Sequence, residues 1–210
     1  MSTYKKIVNK DVSNGVMYEV EPFKNKKDRE KIKQYLYGKS NLRDYVLIVL
    51  GWSIGLRCGD LVSLHIGDVI DCDGKVKKKV QIQEEKTKKI REFEINKTAR
   101  NAVLEYLSRR KDYLDEDWLF PSRKGSDHIT VDAVRRIIKD TCKELNIKGN
   151  YGSHSLRKTF GYCVYTQNID NALILPTLQK IFGHSSPSVT LLYIGITRQE
   201  ISNIYQKLDV

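Results

Sequence analysis

The stretch YVLIVLGWSIGL, Tyr45 to Leu56, constrains the fold more than any other segment. It is the longest apolar run in the chain, yet far short of the roughly 20 apolar residues that a membrane-crossing helix needs. A helix that is apolar on most faces cannot lie at a surface, so this one is predicted to be the central buried helix of a globular domain. A chain of 210 residues supplies one sizeable core and is too short for two full domains. With 40% hydrophobic and 30% charged residues, the balance is that of a folded protein rather than a disordered one.

Around this helix the periodicity changes twice. Residues 1 to about 24 read as a polar lead-in. From Asp28, KKDREKIKQYLYG has helical spacing and ends near Gly38, and Ser40 or Asn41 is placed to cap the helix that runs through Leu56. Three short strand candidates follow: Val69 to Asp71, Lys79 to Gln83 and Ile90 to Ile95. VQIQ and IREFEI both alternate, and EEKTKK between them reads as a hairpin loop. Helical spacing then returns over Lys97 to Lys111 and over Thr130 to Leu145, with Thr130 as cap and Pro121 and Gly125 marking the loop between. Ser155 to Gln167, Leu173 to Phe182 and Ser188 to Tyr193 complete the body, and ITRQEISNIYQKLDV is predicted to form one more short helix. Helices, a small sheet and more helices, without internal repeats, give a mainly helical α+β domain with a three-stranded antiparallel sheet.

Charge narrows the partner. Thirty-seven Lys and Arg against 26 Asp and Glu leave a net charge of +11, a field that attracts polyanions, nucleic acid first among them. The basic residues do not gather on one amphipathic helix, which disfavours a membrane surface. Cys58, Cys72, Cys142 and Cys163 are far apart and the four histidines are dispersed, so no zinc signature and no metal site are expected. Reduced thiols and the absence of an apolar signal core in MSTYKKIVNK point to the cytoplasm.

Several polar residues stand in notable contexts. Arg57 lies in GLRCGDL at the end of the apolar helix, with Asp60 three residues on. Lys86 lies in EEKTKK. His154 and Arg157 form H-x-x-R in GSHSLRKTF. His184 lies in FGHSSPSVTLLY, nine residues before Tyr193. Each has a blander reading when taken singly. Arg57 could serve its own helix end, Lys86 has Lys88 and Lys89 beside it in a solvated run, and Tyr193 is one of 12 tyrosines.

Taken in order, these contexts resemble the active site of the tyrosine site-specific recombinases, the phage-integrase type: arginine, lysine in a hairpin, H-x-x-R, a histidine, then a nucleophilic tyrosine. Five ordered motifs are far more specific than any one. The resemblance covers roughly Val20 to the C-terminus, and VEPF, residues 20 to 23, is similar to the usual start of this catalytic domain. It implies a polar lead-in over residues 1–20, a catalytic domain over 21–210, and no N-terminal core-binding domain, which most members carry.

The implied chemistry accounts for the residue types. Joining strands without ATP requires storing the phosphodiester energy in a covalent bond, and a tyrosine oxygen on phosphorus stores it. Arg57 and Arg157 would clamp the non-bridging oxygens, since guanidinium binds phosphate bidentately and keeps its charge. Lys86, or its neighbour Lys88, would protonate the leaving 5′ oxygen. His154 would take the tyrosine proton or hold the phosphate, and His184 would donate to a non-bridging oxygen. Asp60 would orient the H-x-x-R pair or Arg57. No metal and no cofactor are needed. The resemblance further implies double-stranded DNA as partner, a monomer when free and a homotetramer on paired sites, for integration, excision or inversion. A truncated integrase that occupies DNA without turnover and a type IB topoisomerase are the competing readings.

Overall fold

A computed structural model of the chain describes residues 20–86, 88–110 and 112–196. The first helix, α1 (Lys26–Gly38), is started by Asn25, whose side chain accepts from the Lys27 amide. The apolar run forms α2 (Leu42–Ile54) and sits at the centre as its composition demands: Val46, Leu47, Ile48, Val49, Leu50 and Ile54 are all buried. Each such side chain contributes roughly 1.5–3 kcal/mol on leaving water. The helix stops two residues before Leu56, because Gly55 turns left-handed at φ 61°. A Cβ there would run into the Phe160 ring, so only glycine satisfies both the turn and the packing. Asn41 precedes the helix without capping its amides and instead donates to the Asp44 carboxylate.

Two short helices follow, α3 (Cys58–Val62) and α4 (Ile66–Val69), then an antiparallel pair, β1 (Lys79–Gln83) and β2 (Ile90–Glu94), in which Lys79 faces Glu94 and Gln83 faces Ile90. The predicted third strand does not form. Val69 closes α4, and Ile70 makes a single bridge to Val76 before the chain turns back at Asp71, whose side chain accepts from the amides of Asp73 and Lys75. A tight turn stabilised by its own aspartate leaves no length for a ladder.

The remaining helices are α5 (Lys97–Arg109), α6 (Val131–Glu144), α7 (Ser153–Gln167), α8 (Ile174–Phe182) and α9 (Pro187–Tyr193). Asn96, Thr130 and Ser186 cap α5, α6 and α9 through their side chains, as their types allow. Helix α2 packs chiefly against α5, α7 and α1, and the β-hairpin joins the same core through Val80 and Phe93. A second, smaller core forms where α8 and α9 meet α7, around Leu178, Phe182 and Ile194. Gly161 of α7 lets this happen, since a Cβ there would meet Ile194 and Phe182 within 3 Å. The two cores meet along α7, and Arg57, Arg157, His184 and Tyr193 lie at that seam. The predicted terminal helix lies outside the described residues.

Candidate active site

The left-handed turn at Gly55 aims a backbone carbonyl at α7. Arg157, one turn into that helix and 4% exposed, donates Nη1 to the Gly55 carbonyl (2.6 Å) and Nη2 to the Phe182 carbonyl at the end of α8 (3.2 Å). Its guanidinium also lies over the Phe182 ring, 4.6 Å from the centroid. A second arginine runs beside it. Arg91 of β2 donates to the Gly55 carbonyl (3.3 Å) and the Ile181 carbonyl (3.1 Å). Burial first, then the charges of Arg91 and Arg57, push the Arg157 guanidinium down to about 10, while Tyr193 acts in the opposite direction. It remains fully charged at neutral pH. Arg91 too is lowered, by burial above all.

The opposing charge comes from Glu84, the residue after β1. Its carboxylate lies 2.7 Å from Arg57 Nη1 and 3.3 Å from Arg91 Nη1. The Arg57 contact is an ion pair rather than a directed hydrogen bond, since the Nη1 geometry satisfies no acceptor. Asp60 stands behind it, 3.9 Å from the same nitrogen, and its other oxygen accepts from the Glu85 amide (2.9 Å). The Arg57 side chain is 32% exposed although Nη1 is buried, so the exposed part lies elsewhere on the side chain. Next to it the Cys58 thiol is pushed up to about 12 by burial and stays protonated, which removes it as a nucleophile.

Helix α9 delivers Tyr193 to the same place. Its ring packs edge-on against His184 (centroids 4.9 Å) and Phe182 (5.3 Å), and the Lys158 ammonium lies over it at 5.1 Å. Buried Thr190 sits one turn earlier, and its hydroxyl lies 3.1 Å from His184 Nδ1 and 3.3 Å from the Ser186 carbonyl. A hydroxyl that donates to the Ser186 carbonyl accepts from Nδ1 of His184, whereas one that donates to Nδ1 leaves the proton of a neutral ring on Nε2. Burial, then Arg157 and Arg57, lowers the His184 pKa and favours the neutral form. His154 is exposed on the first turn of α7 and Lys86 is exposed in the hairpin loop.

The profile of the phage integrase family matches residues 22–200, most of the chain. The chain belongs to the phage integrase family. Among curated relatives, a probable integrase/recombinase, YoeC of Bacillus subtilis, is 34% identical over 90% of this chain and 97% of its own length. The tyrosine recombinase XerC of Thermodesulfovibrio yellowstonii is 28% identical over 79% of this chain, which spans only 54% of that relative. The fold is similar to that of the XerA recombinase (TM-score 0.69, 20% identity, 96% of this chain and 68% of the other). It is likewise similar to XerH bound to a palindromic difH substrate in a post-cleavage complex (0.68, 21%, 95% and 56%).

Within this phage integrase domain, Arg57, Arg157, His184 and Tyr193 gather at the seam between the two cores. Asp60 reaches Arg57 and the hairpin backbone. Glu84, Arg91, Lys158 and Thr190 escaped the sequence reading. For the first two a signal existed. Alternation through Val80 and Ile82 carries Glu84 to the inward face of β1, and Phe93 puts Arg91 on the inward face of β2. A glutamate and an arginine on the buried faces of facing strands call for each other. Lys158 and Thr190 had none beyond their place beside a motif.

Proposed function

We infer that this chain is a site-specific DNA recombinase whose nucleophile is Tyr193. The observation that carries the reading is the packing of Tyr193 against His184, with Arg157 and Arg57 near enough to shift the charge state of that histidine. The Tyr193 oxygen attacks the scissile phosphorus and the bond to the 5′ oxygen breaks. The phenol proton passes to a base, His154 in this reading, and Lys86 gives a proton to the departing 5′ oxygen. Arg57, Arg157 and His184 stabilise the charge on the non-bridging oxygens. Attack by a 5′ hydroxyl on the phosphotyrosine reverses these transfers and reseals a strand. Because the guanidiniums supply the positive charge, cleavage is expected to be unaffected by EDTA.

Double-stranded DNA is the proposed substrate, supported by the net charge of +11 and by the DNA-bound relatives of the same fold. On paired sites the reading extends to a tetramer assembled from free monomers, acting in the cytoplasm. No helix among the described residues is long and apolar enough to cross a membrane.

The test is a library of nicked duplexes randomised around the nick, from which the 5′ fragment is lost after cleavage. A covalent adduct that survives denaturation and maps to Tyr193 supports the reading, and its sequence gives the target. Binding without adduct would reduce the chain to an occupying module. Relaxation of plasmids lacking that target would indicate a topoisomerase. Light scattering with and without a four-way junction built from the selected sequence decides the tetramer.

A further inference from the structure

Glu84 is an uncommon residue to find where it is. It is 6% exposed, it lies between two arginines, and it stands two positions before the proposed proton donor. Its backbone and its side chain do different things. The backbone closes the hairpin loop: the Glu84 amide donates to the Lys89 carbonyl and the Glu84 carbonyl accepts from the Lys88 amide, both at 2.9 Å. The backbone of Glu84 thus closes the loop that carries Lys86. The side chain reaches the other way, to Arg57 Nη1 at 2.7 Å and Arg91 Nη1 at 3.3 Å. Arg91 in turn is tied to the Gly55 and Ile181 carbonyls, the same turn and helix end that hold Arg157. The adjacent Glu85 amide is fixed by Asp60, so the base of the loop is pinned twice.

We propose that Glu84 is a positioning residue that registers the Lys86 loop on Arg57, so that proton donor and phosphate-binding guanidinium meet the scissile phosphate in one fixed geometry. The proposal rests on the roles of Lys86 and Arg57 given above. It goes beyond neutralising charge, because the carboxylate that meets the two arginines belongs to the residue whose backbone closes the loop. When the bond to the 5′ oxygen breaks, that oxygen must receive a proton, and a loop displaced by an ångström delivers it poorly. Glu84 contributes no proton itself.

The experiment uses the full chain and the duplex selected above, made in two forms: one with the natural 5′ oxygen at the scissile phosphate, one with sulfur in that bridging position. Sulfur departs as a thiolate without protonation. Single-turnover cleavage is measured for wild type, Glu84→Gln, Glu84→Asp, Lys86→Ala and, as a hairpin control, Glu92→Gln on the exposed face. Glu84→Gln is expected to cleave the oxygen substrate roughly 10- to 100-fold more slowly, the scale for removing a group that orients a functional one. On the sulfur substrate it should return to within about twofold of wild type, as Lys86→Ala should, because the donor is no longer needed. Glu84→Asp keeps the charge between the arginines and shortens the reach by one methylene. It should show the same rescue at smaller amplitude, and it carries the test if Glu84→Gln fails to fold. Equal slowing on both substrates, or no slowing, with Lys86→Ala still rescued, overturns the positioning role alone. Unrescued Lys86→Ala or no adduct from the wild type overturns the underlying reading, and the proposal with it.

Discussion

Arg157 and Lys86 serve one proposed reaction from opposite structural circumstances. Arg157 is buried in α7, with two of its nitrogens committed to the carbonyls of Gly55 and Phe182 and its face against an aromatic ring. Lys86 is exposed at a loop fastened to buried Glu84 and, through the Glu85 amide, to buried Asp60. The guanidinium can be built into the fold because it never has to lose its charge, so burial costs it nothing in function. A proton donor must reach the leaving oxygen and be recharged from solvent, so it belongs on an exposed loop. The frame therefore carries stability and function together, while the loop carries function almost alone. Substitutions can separate the two.

The largest effect is expected at Tyr193. Tyr193→Phe keeps the ring against His184 and Phe182 and removes the oxygen, so covalent adduct should vanish while DNA binding, measured by gel shift, stays near wild type. Adduct from the phenylalanine variant would sink the assignment of the nucleophile.

Arg157→Met comes next and tests the frame. It should abolish detectable cleavage. It should also lower unfolding stability by about 2–4 kcal/mol in urea, because two carbonyls lose charge-assisted partners. An inactive variant of undiminished stability would mean that the frame does not depend on Arg157, and the comparison would break at its first term.

Lys86→Ala is the counterpart at the loop. Cleavage should fall by about 100-fold, within the range for a lost general acid, with no change in melting temperature. Rescue by bridging sulfur after Lys88→Ala, and not after Lys86→Ala, would move the role two residues along the loop.

The smallest effect concerns His184. Its folded pKa lies below that of an unfolded histidine, through burial first and then Arg157 and Arg57. The folded state thus binds fewer protons, and the associated stability is complete above the unfolded value near 6.5 and drains away as pH falls through it and then through the folded pKa. Wild type should lose more stability than His184→Gln between neutral pH and about pH 5. Titration of the His184 ring by NMR checks the direction, and a pKa above the free value would contradict the environment described.

What the sequence determined on its own was local. The apolar run from Tyr45 forms the central helix because nothing but burial suits it, and Asn96 and Thr130 start helices because their oxygens meet the first free amides. The order arginine, lysine, H-x-x-R, histidine, tyrosine was legible because each motif sits within a few residues. Tertiary structure decided what those residues lean on. Arg157 depends on a carbonyl 102 residues away, offered only because Gly55 turns left-handed against Phe160. Strand alternation carries Glu84 and Arg91 inward, but only the packed hairpin sets the Glu84 carboxylate between Arg91 and Arg57. Charge and spacing announce that a side chain is polar. Whether it faces water or a buried counter-ion is settled by the packing of elements far apart in the chain, where a desolvated charge is tolerated only beside its opposite.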